Sequence, residues 1–340
     1  MNSLEDGTVV VTGGAGLIGS ACVWALNQRG CDRIVVCDLM GKDEKYKNLV
    51  PLRFRDLVPA QDLHQWLRQR TDVSCILHLG ACSATTETDV DYLMRNNFAF
   101  TRDLALTALA RGTRFVYASS AATYGDGEAG MSDRDLAIDK LRPLNPYGWS
   151  KQLFDLFALR EGILDRIVGL KYFNVFGPNE DHKADMRSVV HKSFQQIQSD
   201  GTVRLFKSYR PDYRDGCQMR DFLYVKDAVD MTLHLASNPS SNGLFNIGSG
   251  VASTWLELTE AVFQALSKPA KIEFVEMPQT LRAKYQYFTK ADVGKLRAAG
   301  YTKPVTPLAA AVRDYVVGYL VPGKHLGDGL LERDPAGRPD

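Results

Sequence analysis

Tyr147 and Lys151 lie four residues apart in Tyr147-Gly148-Trp149-Ser150-Lys151, a spacing that sets both side chains on one face of a helix. A phenol with its usual pKa near ~10 is a poor base at neutral pH, and an adjacent ammonium stabilises the phenolate and lowers that value. Lys151 can also hold a ribose. Ser120 closes the run Phe115-Val116-Tyr117-Ala118-Ser119-Ser120, where its hydroxyl can hydrogen-bond a reacting oxygen. Upstream, Thr12-Gly13-Gly14-Ala15-Gly16-Leu17-Ile18-Gly19 places Gly13, Gly16 and Gly19 at a three-residue spacing. The first permits a tight turn, the second lets backbone approach a pyrophosphate, and the third allows close helix–strand packing. The helix that opens there offers free N–H groups and a positive dipole end to the anion.

These groups need a scaffold that brings loops to one edge. Strands are predicted at Thr8–Thr12, Arg33–Asp38, Cys75–Leu79, Arg114–Ser119 and Ile167–Phe173, with helices at Leu17–Arg29, Asp62–Gln69, Asp89–Ala110 and Tyr147–Glu161. This alternation is the signature of βαβ units and predicts an α/β protein with a doubly wound parallel Rossmann sheet. Asp38 ends the second strand about twenty residues beyond the glycines, where an acid meets the adenosine ribose of a dinucleotide. An acid there favours NAD, while Lys42, Lys45 and Lys47 suit the 2′-phosphate of NADP, so the choice stays open. Asn96 or Asn97, after the third strand, can support the site.

Beyond Gly177-Pro178 a helix is expected near Ser188–Ser199, and the chain is expected to re-enter the main sheet at Phe222–Val225 on its way into another helix. A smaller, interleaved C-terminal α/β layer follows. The Rossmann unit then comprises residues 1–174 and about 221–250, the substrate-binding unit 175–220 and about 251–320, and the glycine- and proline-rich stretch 321–340 reads as a mobile tail.

Over 340 residues, 41 Lys and Arg face 40 Asp and Glu, which leaves no electrostatic footprint for nucleic acid or an anionic membrane. The six cysteines form no CxxC pair, which argues against a structural zinc site or a secreted disulfide framework and for a reducing cytoplasm. No metal is expected, and no apolar stretch is long enough for a membrane span. A non-catalytic dinucleotide sensor is the alternative class, but it has little need of Ser120, Tyr147 and Lys151 together.

Thr12–Gly19, Ser120 and Tyr147–Lys151 resemble the glycine loop, strand-end serine and Tyr-x-x-x-Lys of the extended short-chain dehydrogenase/reductase family, over roughly Val9 to Thr306. Most members act on nucleotide sugars with a bound nicotinamide. Dehydratases of the family carry Thr-Asp-Glu after the strand. Here Ser120-Ala121-Ala122-Thr123 lacks both acids, so epimerisation or reduction fits better than elimination. Gly80–Glu87, Ala118–Gly125, Tyr172–Pro178 with His182-Lys183, Arg220–Phe222 and Lys284–Thr289 are similar to the branch of nucleotide-sugar 6-epimerases that take ADP-heptose.

That resemblance implies tightly bound NADP, transient oxidation of an ADP-heptose at C6, and two acid/base groups, Tyr147 and Lys183, supported by Lys151 and Ser120. It implies cofactor contacts at Gly13, Gly16, Leu17, Ile18, Gly19, Asp38, Leu39, Lys45, Leu79, Gly80, Ala81, Cys82, Ser83, Asn96, Lys151 and Val175. Substrate contacts fall at Ser120, Asn174, Asp185, Phe206, Arg220 and Tyr285, and the assembly is a homo-oligomer, commonly a pentamer. Taken alone, Lys183 reads as a solvated loop lysine, and Phe206 and Tyr285 as core. A C4-type nucleotide-sugar epimerase is the neighbouring alternative. Leu39, Leu79 and Asp185 depart from the family pattern, and Tyr209–Met219 looks inserted. An anion as near as Asp185 is expected to raise the pKa of Lys183.

Overall fold

The computed structural model describes residues 4–133, 138–282 and 285–329. The first strand, β1 (Thr8–Thr12), shows why the chain forms a sheet covered on both faces: Val9 and Val11 join one hydrophobic cluster and Val10 the other. Side chains alternate across a strand, so a continuous valine run is stable only where both faces are buried. β2 (Ile34–Asp38) and β4 (Val73–His78) pair in parallel on either side of it, and β3 (Asp56–Pro59), β5 (Arg114–Ser120) and β6 (Val168–Tyr172) extend the parallel sheet outward from them.

Three short strands follow before the main sheet is completed: β7 (Asn174–Phe176), β8 (Val203–Phe206) and β9 (Met219–Tyr224). β10 (Gly243–Ile247) is the seventh strand of the sheet, whose order is β10-β6-β5-β4-β1-β2-β3. From β1 the chain runs to one edge through β2 and β3, then returns to build the other half from β4 onward. The direction therefore reverses between β1 and β4, and ligands of doubly wound sheets bind beyond the strand ends at such a switch point.

The covering helices are α1 (Leu17–Gln28), α2 (Leu63–Arg68), α3 (Val90–Leu93), α4 (Phe100–Ala110), α5 (Pro146–Arg160), α6 (Val189–Ser199), α7 (Val225–Ser237) and α8 (Trp255–Ala265). α1 and α7 pack into the cluster of Val9 and Val11, and α4 and α5 into that of Val10. α8 opens with a full capping box, in which Thr254 and Glu257 satisfy each other's backbone N–H groups.

Two expectations change here. The chain does not re-enter the main sheet at Phe222–Val225: β9 ends at Tyr224 in a separate three-stranded sheet with β7 and β11 (Ala252–Thr254), and re-entry comes at β10. A two-stranded sheet of β8 with β12 (Ile272–Val275) completes the smaller layer. The mobile tail expected from residue 321 is also corrected for 321–329. Leu326 is fully buried there, and its N–H donates to Asn179 Oδ1 at 2.9 Å; residues 330–340 lie outside the described residues. Among the described residues no helix is long and apolar enough to cross a membrane.

Candidate active site

The glycine loop leaves β1 at the switch point. Gly13 has φ +64°, and a Cβ built on it would lie 2.6 Å from the Gly80 Cα. Only glycine combines that backbone with the close approach of a second loop. Gly16 begins α1 with no side-chain cap and no acid in the first turn. The N–H groups of Leu17 and Ile18 therefore lie at an uncapped helix end, which suits a pyrophosphate, and Gly19, itself buried, brings α1 so near the loop that a Cβ on it would collide with Gly13 O.

Asp38 ends β2 beside this loop. Its Oδ2 accepts from the Ala15 N–H at 2.8 Å, and its Oδ1 from the Leu39 N–H at 2.7 Å and from Lys45 Nζ at 3.0 Å. Of the three lysines, only Lys45 pairs with Asp38; Lys47 is half-buried and turns to Glu44. Leu39 is exposed. The second loop runs from Leu79 through Gly80, Ala81, Cys82 and Ser83, with Leu79 N–H donating to Thr12 O at 3.2 Å.

α5 brings the tyrosine and lysine to the end of β5. Asn145 caps the helix through Gly148 N–H at 2.7 Å and Pro146 occupies its first turn. At Gly148 any Cβ would come within 2.8 Å of Ala122 O, so glycine lets the helix touch the turn that follows Ser120. Tyr147 then hydrogen-bonds Ser120. Lys151, buried to 6% exposure, donates through Nζ to Ala118 O at 2.9 Å.

The electrostatics differ from expectation at Tyr147. Burial pushes its phenol above the usual value, with the Ser120 bond pulling the other way and Cys82 adding to the rise. Desolvation of the phenolate is the largest of these causes, and the opposing pull comes from Ser120 and not from the lysine. Lys151 itself is lowered to about 8, chiefly by burial, against the opposing pull of Asp155 and Cys82.

Beneath this pair lies a network that the sequence reading did not identify. Asp155, one helical turn beyond Lys151, accepts from Tyr117 Oη and Ser119 Oγ at 2.8 Å each and from Lys171 Nζ at 2.7 Å. Lys171 also donates to Thr123 Oγ1 at 2.7 Å, and both members of the ion pair are fully buried. Removing one partner of such a pair typically costs about 3–5 kcal/mol because the other charge is stranded. Two signals were present in the sequence: Asp155 continues the Tyr147–Lys151 face, and Lys171 interrupts an apolar strand.

Of the two adjacent asparagines, Asn97 faces the site. Its Oδ1 accepts from Cys82 N–H at 2.9 Å, and its Nδ2 donates to Cys82 O and to Ser150 Oγ, each at 3.0 Å. Asn96 instead donates to the Tyr92 carbonyl of its own helix. The helix expected over Asp89–Ala110 is interrupted by a π-helical segment, Met94–Ala99, a local unwinding that recurs at functional sites and has no simple sequence signature.

Lys183 lies in a turn after β7, half-buried, and burial lowers its pKa while Glu180 raises it. Asp185 is exposed, and Glu180 is the acid that acts on Lys183, so the expected raising by Asp185 is overturned. Ala184, between them, holds φ +46°, a strained value for a residue with a Cβ and one that clusters at functional sites. The turn is tied to the glycine loop through Asn48, whose Nδ2 donates to Ala15 O at 2.9 Å and to Asn179 O at 3.1 Å.

At the smaller layer, Arg220 is buried with its guanidinium 5.2 Å from the Tyr285 ring and 5.6 Å from the Trp255 ring. Trp255 Nε1 donates to Tyr285 Oη at 2.8 Å. Asn174 donates to Asp221 O at 3.1 Å, Val175 lies beside it in β7, and Phe206 ends β8 half-buried. Tyr285 is thus part of a polar aromatic cage and not simple core.

Compared with known proteins, the pattern of the NAD dependent epimerase/dehydratase family matches residues 9–248. The ADP-L-glycero-D-manno-heptose-6-epimerase of Nitratidesulfovibrio vulgaris strain Hildenborough is 52% identical over 314 residues, covering 92% of this chain and 97% of that protein. The enzyme of that name from Fusobacterium nucleatum is 43% identical over 325 residues, covering 92% and 98%. The crystal structure of Helicobacter pylori ADP-L-glycero-D-manno-heptose-6-epimerase superposes with a TM-score of 0.77 at 26% identity, covering 93% of this chain and 97% of that one. The chain is a member of the NAD dependent epimerase/dehydratase family.

Proposed function

We propose that this protein interconverts the C6 epimers of ADP-glycero-manno-heptose, as an ADP-L-glycero-D-manno-heptose 6-epimerase using NADP. The observation that carries this reading is the 52% identity to a protein of that name across 92% of the chain. Held by the glycine loop, Asp38 and Lys151, a bound dinucleotide would supply reversible hydride acceptance at C6. The chain's own residues do the rest. Ser120 holds the C6 oxygen and Tyr147 moves its proton in one presentation of the sugar, while Lys183 does so in the other. Arg220, whose planar fork suits a diphosphate, works with Phe206 and Tyr285 on the nucleotide, alongside Asn174 and Asp185.

NADP is favoured over NAD because Lys45 neutralises Asp38. An unpaired carboxylate there would repel a 2′-phosphate, whereas the ion pair leaves a cation beside it. Incubation with ADP-D-glycero-D-manno-heptose and separation of the epimers tests the reaction, and mass spectrometry of the co-purified dinucleotide tests the cofactor. No interconversion rejects the reaction; recovered NAD in place of NADP rejects the cofactor choice.

The lowered pKa of Lys151 gives the pH dependence a sign. Its ammonium, which would hold the ribose, persists below about 8 and is lost above it. Turnover is expected to decline as pH rises through that value. In Lys151→Arg, which keeps its charge, the decline should move to higher pH; an unmoved alkaline limb would assign it to another group.

A further inference from the structure

β4 ends in His78, a fully enclosed imidazole 2% exposed, wedged against Phe100 and Phe115 and assigned no part in the chemistry above. Its two nitrogens bond to two different parts of the site. Nδ1 lies 2.7 Å from Thr12 Oγ1, the last side chain before the glycine loop, and Nε2 lies 2.8 Å from Thr101 Oγ1 in α4.

The proton directions follow from the neighbours. Thr101 donates its only hydroxyl proton to Asn97 O at 2.7 Å, so its oxygen must accept, and Nε2 must carry hydrogen. Thr12 Oγ1 accepts from Gly80 N–H at 3.0 Å, and its own proton is then free to go to Nδ1. At the far end Ser150 donates to Tyr147 O at 2.7 Å, so its oxygen accepts from Asn97 Nδ2. One neutral tautomer satisfies every link, and an imidazolium would set a second N–H against the Thr12 bond. Burial, aided by the charge of Lys151 and by His64, keeps His78 neutral down to about pH 3.

We infer that His78 is a positioning residue which, as the neutral Nε2–H tautomer, ties the two glycine loops at the switch point to the π-helical segment and the helix that carries Tyr147. The link is continuous: Gly80 and Thr12 on the cofactor side, then His78, then Thr101, Asn97 and Ser150 on the Tyr147 side. The assignment of its two ends to cofactor and catalysis rests on the proposed function, but the tautomer does not.

Two substitutions separate the ends. His78→Asn keeps an acceptor near the Nδ1 position and drops the Thr101 bond, whereas His78→Gln keeps a donor near the Nε2 position and drops the Thr12 bond. One neutral hydrogen bond corresponds to about a tenfold effect. His78→Gln is expected to weaken NADP binding about tenfold with turnover at saturating cofactor nearly kept. His78→Asn is expected to bind NADP as the parent does and to lose about tenfold in kcat. Folded variants that change neither quantity, or change both alike, overturn the inference.

Nitrogen-15 NMR of the unsubstituted chain decides the case even where the variants fail to fold. An Nε2–H tautomer held without titration down to pH 5 supports the inference, and an Nδ1–H tautomer or a charged ring overturns it. A parent chain that bound no dinucleotide would overturn the functional reading, and the NMR result would stand apart from that failure.

Discussion

Tyr147→Phe is expected to lower turnover at least ~100-fold, the usual cost of losing a positioned acid or base, while the chain stays folded and retains its dinucleotide. The substitution removes one oxygen and leaves the ring. The start of α5 is fixed by Asn145, Pro146 and the close approach at Gly148, none of which involves the phenol. Lys151 keeps its bond to Ala118 O, and the glycine loop is held by Asp38 through Ala15. The loss should therefore appear in kcat, with little change in Tm or cofactor occupancy. Turnover within a few-fold of the parent would show that the proton is moved by another group.

What the sequence discloses here follows from how local each requirement is. The glycines of Thr12–Gly19 answer to backbone geometry within a single turn, and Tyr147 with Lys151 to helical spacing. Both can be read from neighbours in the chain. Asp38 needs only the length of one βα unit. The partners that hold these groups come from elsewhere: Asp155 is neutralised by Lys171 and Asn97 grips Cys82. A π-helical segment decides that Asn97 and not Asn96 faces inward, and no composition rule announces it. The pKa of Tyr147 departs from the sequence expectation for a related reason. A lysine on the same helix face is visible in the sequence, but the burial that raises the phenol and the Ser120 bond that opposes it belong to the assembled site. The departure of β9 from the main sheet is likewise a matter of partners, since Phe222-Leu223-Tyr224 is as apolar as any central strand and pairs with β7 and β11 instead.

Lys183 carries the second large effect. Lys183→Gln is expected to reduce epimerisation about 100-fold or more, with the dinucleotide still bound, because in the mechanism proposed above a proton moves in each of two presentations of the sugar and Tyr147 serves only one. A lysine can act as a base only where its neutral form is accessible, and burial moves Lys183 in that direction against Glu180. The strained Ala184 beside it holds the turn in a shape the chain would not choose unaided. Lys183→Arg separates proton transfer from simple charge. Arginine keeps the cation and its reach but does not release its proton in a protein. If Lys183 moves a proton, Arg is as inactive as Gln; if it only attracts an anionic part of the substrate, Arg restores most of the turnover and Gln does not. Measuring kcat and KM for both variants decides between them. Recovery by Arg would leave Tyr147 as the sole proton-handling group of the site and remove the two-base mechanism proposed for it.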